Sequence, residues 1–161
     1  MTSSTHHHAA TEADYQLTMR VAAPPAAAFD ALTTPAGLAA WWVPVTGSGL
    51  AGGELRFSMN APEPLVIQVE QAVRPAVVRW AVTACDFEPD WVGTRPAFTI
   101  TPAGDGCQVS FRHHGLTAQL ECIEMCTKGW NHYLGTSLRA YLETGAGSPL
   151  GSPADQARRA R

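Results

Sequence analysis

The run 108–115, which ends in two histidines before a glycine, offers the clearest chemistry in this 161-residue sequence. Alternation along a strand places Val109, Phe111 and His113 on one face, so an ionisable imidazole ends a row of apolar side chains. An imidazole exchanges a proton near neutral pH and can act as a general acid or base toward a carbonyl compound. The alternative is structural: His113 caps the strand end by bonding a loop carbonyl or Tyr133.

A long amphipathic run from about Thr117 to Glu143 has to position the other half of such a site. Glycine at position 145 supplies a helix stop. His132 lies oblique to the apolar stripe and is predicted to be solvated. One helix cannot bury its stripe alone, so we expect it to lie across the concave face of a curved antiparallel sheet. The stripe recurs at helical spacing and comprises Leu120, Ile123, Cys126, Thr127, Trp130, Tyr133, Leu134, Ser137, Leu138 and Tyr141.

The rest of the chain supplies that sheet. Residues 15–21 alternate between apolar and polar side chains, which predicts a first strand. Pro24-Pro25 and Thr34-Pro35 then begin two short helices. Short alternating runs separated by turn residues predict an antiparallel meander; they cover 54–59, 65–73, 77–83, 96–101 and 107–113. The predicted fold class is α+β, with about six to seven strands wrapped around the long C-terminal helix.

Length and composition predict one globular domain with mobile ends. A chain of 17.2 kDa with 45% hydrophobic residues buries about two thirds of its unfolded surface as one domain. We expect a domain over 14–145, a disordered N-terminal tail over 1–13 and a disordered C-terminal tail over 146–161. The run His6 to His8 lies in the first tail and is excluded from the site reasoning.

Charge and hydropathy exclude several function classes. The net charge of -3, the pI near 6.0 and a single lysine, Lys128, provide no basic field for phosphates, so no nucleic-acid partner is predicted. No run approaches the roughly 20 apolar residues needed to cross a bilayer, and the polar N-terminus has no signal-peptide core. We therefore expect no membrane span and a cytoplasmic location.

The sequence also predicts neither a metal nor a cofactor. The four cysteines lack paired C-x-x-C spacing, although Cys122 and Cys126 share a helix face. The acidic loop around Glu88 lacks the glycine and distal glutamate of a calcium loop, and is predicted to be solvated. Serines lack the G-x-S-x-G pattern of a hydrolase, and the glycines of 47–53 follow no strand-to-helix phosphate loop.

The order of several short motifs resembles the START-like SRPBCC superfamily, and within it the subgroup related to the activator of the heat-shock protein 90 ATPase. These motifs are 24–33, Trp41-Trp42, 52–57, His113 before Gly115-Leu116, and Gly129-Trp130. The resemblance covers about 14–145. It implies a helix-grip fold with an internal pocket, used in different members for lipid carriage, polyketide cyclisation or aromatisation, hormone reception or co-chaperone work.

A pocket of this kind implies a small hydrophobic ligand, aromatic or polyketide-like, and a cofactor-free cyclase, aromatase or dehydratase activity. His113 and Tyr133 are the candidate catalytic residues, and Tyr133 or Arg79 is expected to orient a carbonyl. The alternative for the aromatic residues is a filled, dry core. The candidate ligand-binding residues are Trp130, Trp80, Phe57, Met59, Phe98, Trp41, Trp42 and Arg79.

The rival class is a protein-interaction module that contacts a chaperone through an exposed surface near Trp41-Trp42 or Trp91. Burial discriminates the two, because tryptophans of a pocket are buried whereas those of a contact surface form an exposed patch. An exposed sheet edge or tryptophan patch would also support a homodimer.

Overall fold

The computed structural model describes residues 13–161, so most of the predicted N-terminal tail and the run His6 to His8 lie outside the described residues. Its centre is a seven-stranded antiparallel sheet with the order β1-β7-β6-β5-β4-β3-β2. The α+β helix-grip prediction is confirmed. The strands are β1 (Tyr15–Val21), β2 (Val45–Gly47), β3 (Glu54–Phe57), β4 (Leu65–Val73), β5 (Val77–Ala84), β6 (Arg95–Ala103) and β7 (Gly106–His114).

Two short helices connect β1 to β2, as the proline pairs predict. Helix α1 (Pro25–Thr33) and helix α2 (Pro35–Trp41) each begin with proline at the first helical position. The Thr34 hydroxyl caps α2 by accepting a hydrogen bond from the Gly37 N–H at 3.1 Å. The Trp41 indole donates to the Ala31 carbonyl at 2.8 Å, which ties the two helices together.

Local irregularities in the sheet accompany its curvature around the helix. The pairing of β4 with β5 shifts register between Val66 and Ile67 and again between Val69 and Gln71. The three-residue strand β2, which lacked a recognisable alternation in the sequence, pairs with β3 and forms one edge. Strand β1 forms the other edge and pairs with β7 along its whole length, from Tyr15 with His113 to Val21 with Cys107.

The long C-terminal helix begins later than predicted and changes its geometry halfway. Helix α3 (Ile123–Trp130) runs into a π-helical segment (Asn131–Leu138), which continues as α4 (Arg139–Thr144). The Arg139 N–H bonds the Leu134 carbonyl, an i to i−5 contact typical of the wider π turn. In this wider turn three consecutive side chains, those of residues 132–134, are all buried.

The C-terminal segment differs from the predicted disordered tail, because it folds back over the helix. Gly147 passes so close to α2 that an added Cβ would lie 2.6 Å from the Ala40 carbonyl oxygen. The Leu150 N–H then donates to the Trp42 carbonyl at 2.7 Å. Helix α5 (Pro153–Arg159) follows, with Ser152 as its N-cap, and its Asp155 is buried. Specific hydrogen bonds therefore hold a stretch whose composition resembles a linker.

Aromatic side chains fill the space between the sheet and the long helix. The Trp130 ring lies 4.7 Å from that of Phe111, 5.1 Å from that of Trp42 and 5.9 Å from that of Trp91. Tilted and offset ring pairs at such distances each add about 0.5–1.5 kcal/mol beyond area burial. This cluster fixes the helix on the sheet and places the C-terminal half of β7 beside Trp130.

Candidate functional site

His113 meets Trp130 in the interior, as strand alternation and the helical stripe predicted. Its side chain is completely buried at the end of β7. The Trp130 indole donates to Nδ1 of His113 at 3.0 Å, so that nitrogen carries no proton. Nε2 therefore carries the proton and donates to the Thr94 hydroxyl, 2.8 Å away. Thr94 in turn donates to the Trp91 carbonyl at 2.6 Å.

The surroundings of His113 keep it neutral. Burial lowers the pKa of this imidazole to about 3, while the nearby Asp14 carboxylate acts in the opposite direction and His114 adds to the lowering. Both ring nitrogens are engaged within the protein, and a group with this pKa is a poor acid or base at neutral pH. The geometry favours a structural role for His113, although its partners are the Thr94 hydroxyl and the Trp130 indole and not the expected loop carbonyl or Tyr133. Through them it joins β7, the long helix and the 85–94 loop.

A cavity of about 560 Å³ lies beside this junction, between the long helix, the loop before β6 and the C-terminal segment. Its volume falls within the range of small-molecule sites. Aromatic and apolar side chains form its walls, and four of the chain's 11 basic residues lie around it. The lining residues are Trp42, Met59, Phe87, Glu88, Trp91, Met125, Cys126, Lys128, Gly129, Trp130, Tyr133, Leu150, Arg158, Arg159 and Arg161.

The structure divides the predicted ligand-binding residues into three groups. Trp130, Met59 and Trp42 line the cavity, together with Tyr133, which was predicted to be catalytic. A second group is fully buried behind it as core, and comprises Trp41, Phe57, Trp80 and Phe98. Among the described residues, one buried side-chain polar atom has no hydrogen-bond partner, and it is the Trp80 indole nitrogen. Arg79 is exposed on the convex face of the sheet, so it cannot orient a ligand in the cavity.

The Tyr133 hydroxyl is held by the C-terminal helix. It donates to Oδ1 of Asp155 at 2.9 Å, and Arg159 Nη2 lies 3.3 Å from the same hydroxyl. Asp155 also accepts from the Gly151 N–H and from the Nε atoms of Arg158 and Arg159, at 2.9, 3.0 and 3.0 Å. Burial raises the pKa of the Asp155 carboxyl, but these donors outweigh it and the net pKa is lowered. A single carboxylate therefore fastens α5 over the cavity.

His132 corrects another expectation, since it is buried rather than solvated. Its Nε2 lies 2.9 Å from the Ser148 carbonyl oxygen of the returning C-terminal segment. The returning segment also reaches Ser137, whose hydroxyl donates to the Trp41 carbonyl and accepts from the Ser148 N–H, both at 2.7 Å. The oblique helix face is thus covered by a segment that the sequence pattern did not predict to pack.

Sequence reasoning missed the contribution of the loop and the C-terminus to this cavity. Trp91 was assigned to a solvated loop, yet it is buried, stacks on Trp130 with an interplanar angle of 14° and lines the cavity. Leu150 and the basic residues of α5 were assigned to a tail. The Ser152-Pro153 pair before Asp155 was a usable signal, because serine at the N-cap followed by proline is typical of a helix start.

An exposed tryptophan patch, on which the interaction-module alternative relied, does not form. Trp41, Trp42 and Trp91 are 0%, 2% and 8% exposed. The tryptophans therefore serve the interior. The exposed apolar side chains closest to the cavity are instead Phe87 and Met125, at 44% and 74%.

Residues 13–161 contain no cluster of three or more His, Cys, Asp or Glu side chains that could hold a metal ion. Burial raises the pKa of Cys85 to about 11 and raises that of Cys126 as well, so both remain protonated thiols at neutral pH.

Over the same residues, no helix is both long and apolar enough to cross a membrane.

The curved sheet, the helix laid across it and the cavity beside them define a helix-grip domain of the START-like class. A family model described as "Activator of Hsp90 ATPase homolog 1-like protein" matches residues 22–143. The chain belongs to this family, as the sequence resemblance predicted. No curated protein sequence matches the chain significantly.

Solved structures share the fold. The Aha1 dimer of Colwellia psychrerythraea is 26% identical, with a TM-score of 0.73, over 83% of this chain and 98% of that one. SSP2350 of Staphylococcus saprophyticus is 18% identical, with a TM-score of 0.68, over 83% and 94% of the two chains. CalU16 of Micromonospora echinospora is 18% identical, with a TM-score of 0.61, over 74% and 70%.

Proposed function

We propose that this protein binds a small apolar ligand, aromatic or polyketide-like, in the cavity beneath its C-terminal segment. The observation that carries the proposal is the cavity of about 560 Å³, which has walls of three tryptophans with Met59 and Leu150. Flat aromatic walls favour flat apolar ligands, which gain area burial together with ring contacts.

Binding is proposed without acid–base turnover. Cyclisation or dehydration of a carbonyl compound needs a group that exchanges protons beside the substrate. His113 does not line the cavity, and both of its nitrogens are engaged. Tyr133 lines the cavity, but its hydroxyl is committed to Asp155. The cyclase or dehydratase role expected from the resemblance thus has no available proton carrier in either predicted catalytic residue.

Gly129 offers a sharp test, because it lines the cavity and a Cβ added there would meet no heavy atom within 4 Å. Gly129→Trp places an indole in the cavity mouth, whereas Gly129→Ala adds a single carbon and is the matched control. We expect pyrene, followed by its fluorescence on titration, to bind the native protein and Gly129→Ala alike. We expect Gly129→Trp to bind at least about tenfold more weakly, because its indole occupies ligand space.

Equal pyrene affinity for all three proteins would place binding elsewhere. Absence of pyrene binding to the native protein, combined with native mass spectra free of any co-purifying apolar compound, would refute the ligand-binding proposal. Circular dichroism of each variant establishes that it is folded.

A second candidate function is contact with a chaperone ATPase, which the name of the family suggests. Exposed Phe87, Val92 and Met125, at 44%, 49% and 74%, favour it as apolar contact points. We expect the native protein to stimulate the ATPase activity of heat-shock protein 90. The double variant Phe87→Ser, Met125→Ser should not stimulate it. An unchanged ATPase rate in the presence of the native protein would exclude this function.

Self-association is proposed on two grounds: one similar structure is described as a dimer, and the sheet leaves β1 and β2 as edge strands. Light scattering coupled to size-exclusion chromatography is expected to give twice the 17.2 kDa monomer mass. A monomer mass at all concentrations would contradict it.

A further inference from the structure

We propose that the ligand is an amphiphilic carboxylate, whose apolar body fills the aromatic cavity and whose anionic group is bound by the basic residues at its C-terminal side. This inference rests on the proposed ligand-binding function and adds the chemical class of the ligand. It is carried by the distribution of charge around the cavity and by the donors that Arg158 leaves unused.

The cavity is basic in an otherwise acidic chain. The net charge of the whole sequence is -3. Its lining nevertheless contains Lys128, Arg158, Arg159 and Arg161 against one acidic side chain, that of Glu88. The basic groups come from α3 and from the C-terminal segment, whereas Glu88 comes from the loop before β6. Basic side chains therefore outnumber acidic ones in the lining.

The buried Asp155 neutralises this cluster only in part. It accepts from both Arg158 and Arg159, so one negative charge serves two guanidinium groups. Within residues 13–161, neither Lys128 nor Arg161 forms an ion pair with an Asp or Glu side chain. The cavity wall thus keeps a net positive charge in a partly desolvated setting, where charge attraction is stronger than in bulk water.

Arg158 presents the geometry for a planar carboxylate. Its Nε atom bonds Asp155, and its guanidinium carbon lies 5.1 Å from the centre of the Tyr133 ring. Its side chain is only 16% exposed, compared with 53% for Arg159. The two terminal nitrogens of Arg158 have no acceptor among the described residues, and a pair of parallel N–H groups is the donor set that a carboxylate accepts bidentately.

The test compares 1-pyrenebutyric acid with its amide, which has the same apolar body and no charge. We expect the acid to bind at least about tenfold more tightly at low ionic strength, and this preference to shrink in 0.5 M NaCl. Lys128→Gln and Arg158→Lys should each lower the affinity for the acid by a larger factor than the affinity for the amide. Arg158→Lys keeps the charge and removes the planar donor pair, and Arg79→Gln is the control, since it removes an exposed charge on the convex face.

Each outcome decides the matter. Equal affinity for acid and amide would overturn the carboxylate inference while leaving the proposed apolar binding intact. Binding of neither probe would overturn both. An acid preference that Arg79→Gln reduces as much as Lys128→Gln does would overturn the assignment to the cavity, because it would reflect only the overall charge of the protein.

Discussion

The neutral, buried His113 makes the folding stability depend on pH in a predictable way. In the unfolded chain an imidazole titrates at 6.5, whereas burial lowers the pKa of His113 to about 3 in the folded protein. Between these values the unfolded chain binds one more proton than the folded protein does. Stability is therefore complete above pH 6.5 and is lost as the pH falls toward 3.

The magnitude follows from the two pKa values. Linkage gives a loss of about 2.7 kcal/mol in the free energy of unfolding between pH 7.5 and 4.5, with a slope near 1.4 kcal/mol per pH unit below pH 6.

His113→Gln removes this titration. It leaves the Trp130 indole N–H without its acceptor, which costs about 1–3 kcal/mol at neutral pH. Because the variant lacks the proton uptake, the free energy of unfolding of the native protein should fall by about 2.7 kcal/mol relative to that of the variant between pH 7.5 and 4.5. His114→Gln is the matched control, because it removes the exposed neighbouring imidazole and leaves the hydrogen bond from Trp130 to His113 in place.

Urea unfolding followed by tryptophan fluorescence at half-unit pH steps measures both slopes, provided that the m-value stays constant. A native slope equal to that of His113→Gln between pH 6.5 and 4.5 would refute the reasoning. It would show that His113 is protonated in the folded state and that its hydrogen bonds differ from those described.

Three further perturbations address the C-terminal segment and the cysteines. Asp155→Asn should destabilise the protein by about 2 kcal/mol and speed tryptic cleavage within α5, because two guanidinium groups lose the carboxylate that they share. In the native protein the stabilisation by this carboxylate should be lost as the pH falls below 3.8. Gly147→Ala should lower the melting temperature by an amount equivalent to about 1–3 kcal/mol, since its Cβ would meet a backbone oxygen. Cys85 and Cys126 should react slowly with iodoacetamide at pH 7.5 in the native state and rapidly in urea, because burial raises both thiol pKa values; equal rates would contradict this.

The sheet was predictable where turns and alternation coincide. Strand β4 was predicted residue for residue because prolines bound it at both ends, and β7 was predicted to within one residue. The contact of His113 with Trp130 followed from two periodicities, of 2 and 3.6 residues. These patterns predict which face of a strand or helix a side chain occupies, and that is enough to predict most of the core residues.

The chemistry of the site was less predictable because it depends on partners from distant loops. Strand alternation places His113 inside, but the neutral tautomer follows from Thr94 and Trp130 together. Nothing periodic marks Asp155, whose burial depends on Tyr133 and Gly151. Composition made the last residues resemble a linker, although they hold the basic side of the cavity.

The π-helical segment Asn131–Leu138 gives this scaffold a simple route to new ligands. Deleting one residue there would restore ordinary α spacing and rotate everything N-terminal to it, relative to α4, by roughly 100°. Different side chains would then face the enclosed space while the sheet stayed untouched. Insertions and deletions, rather than substitutions alone, can thus diversify specificity in this architecture.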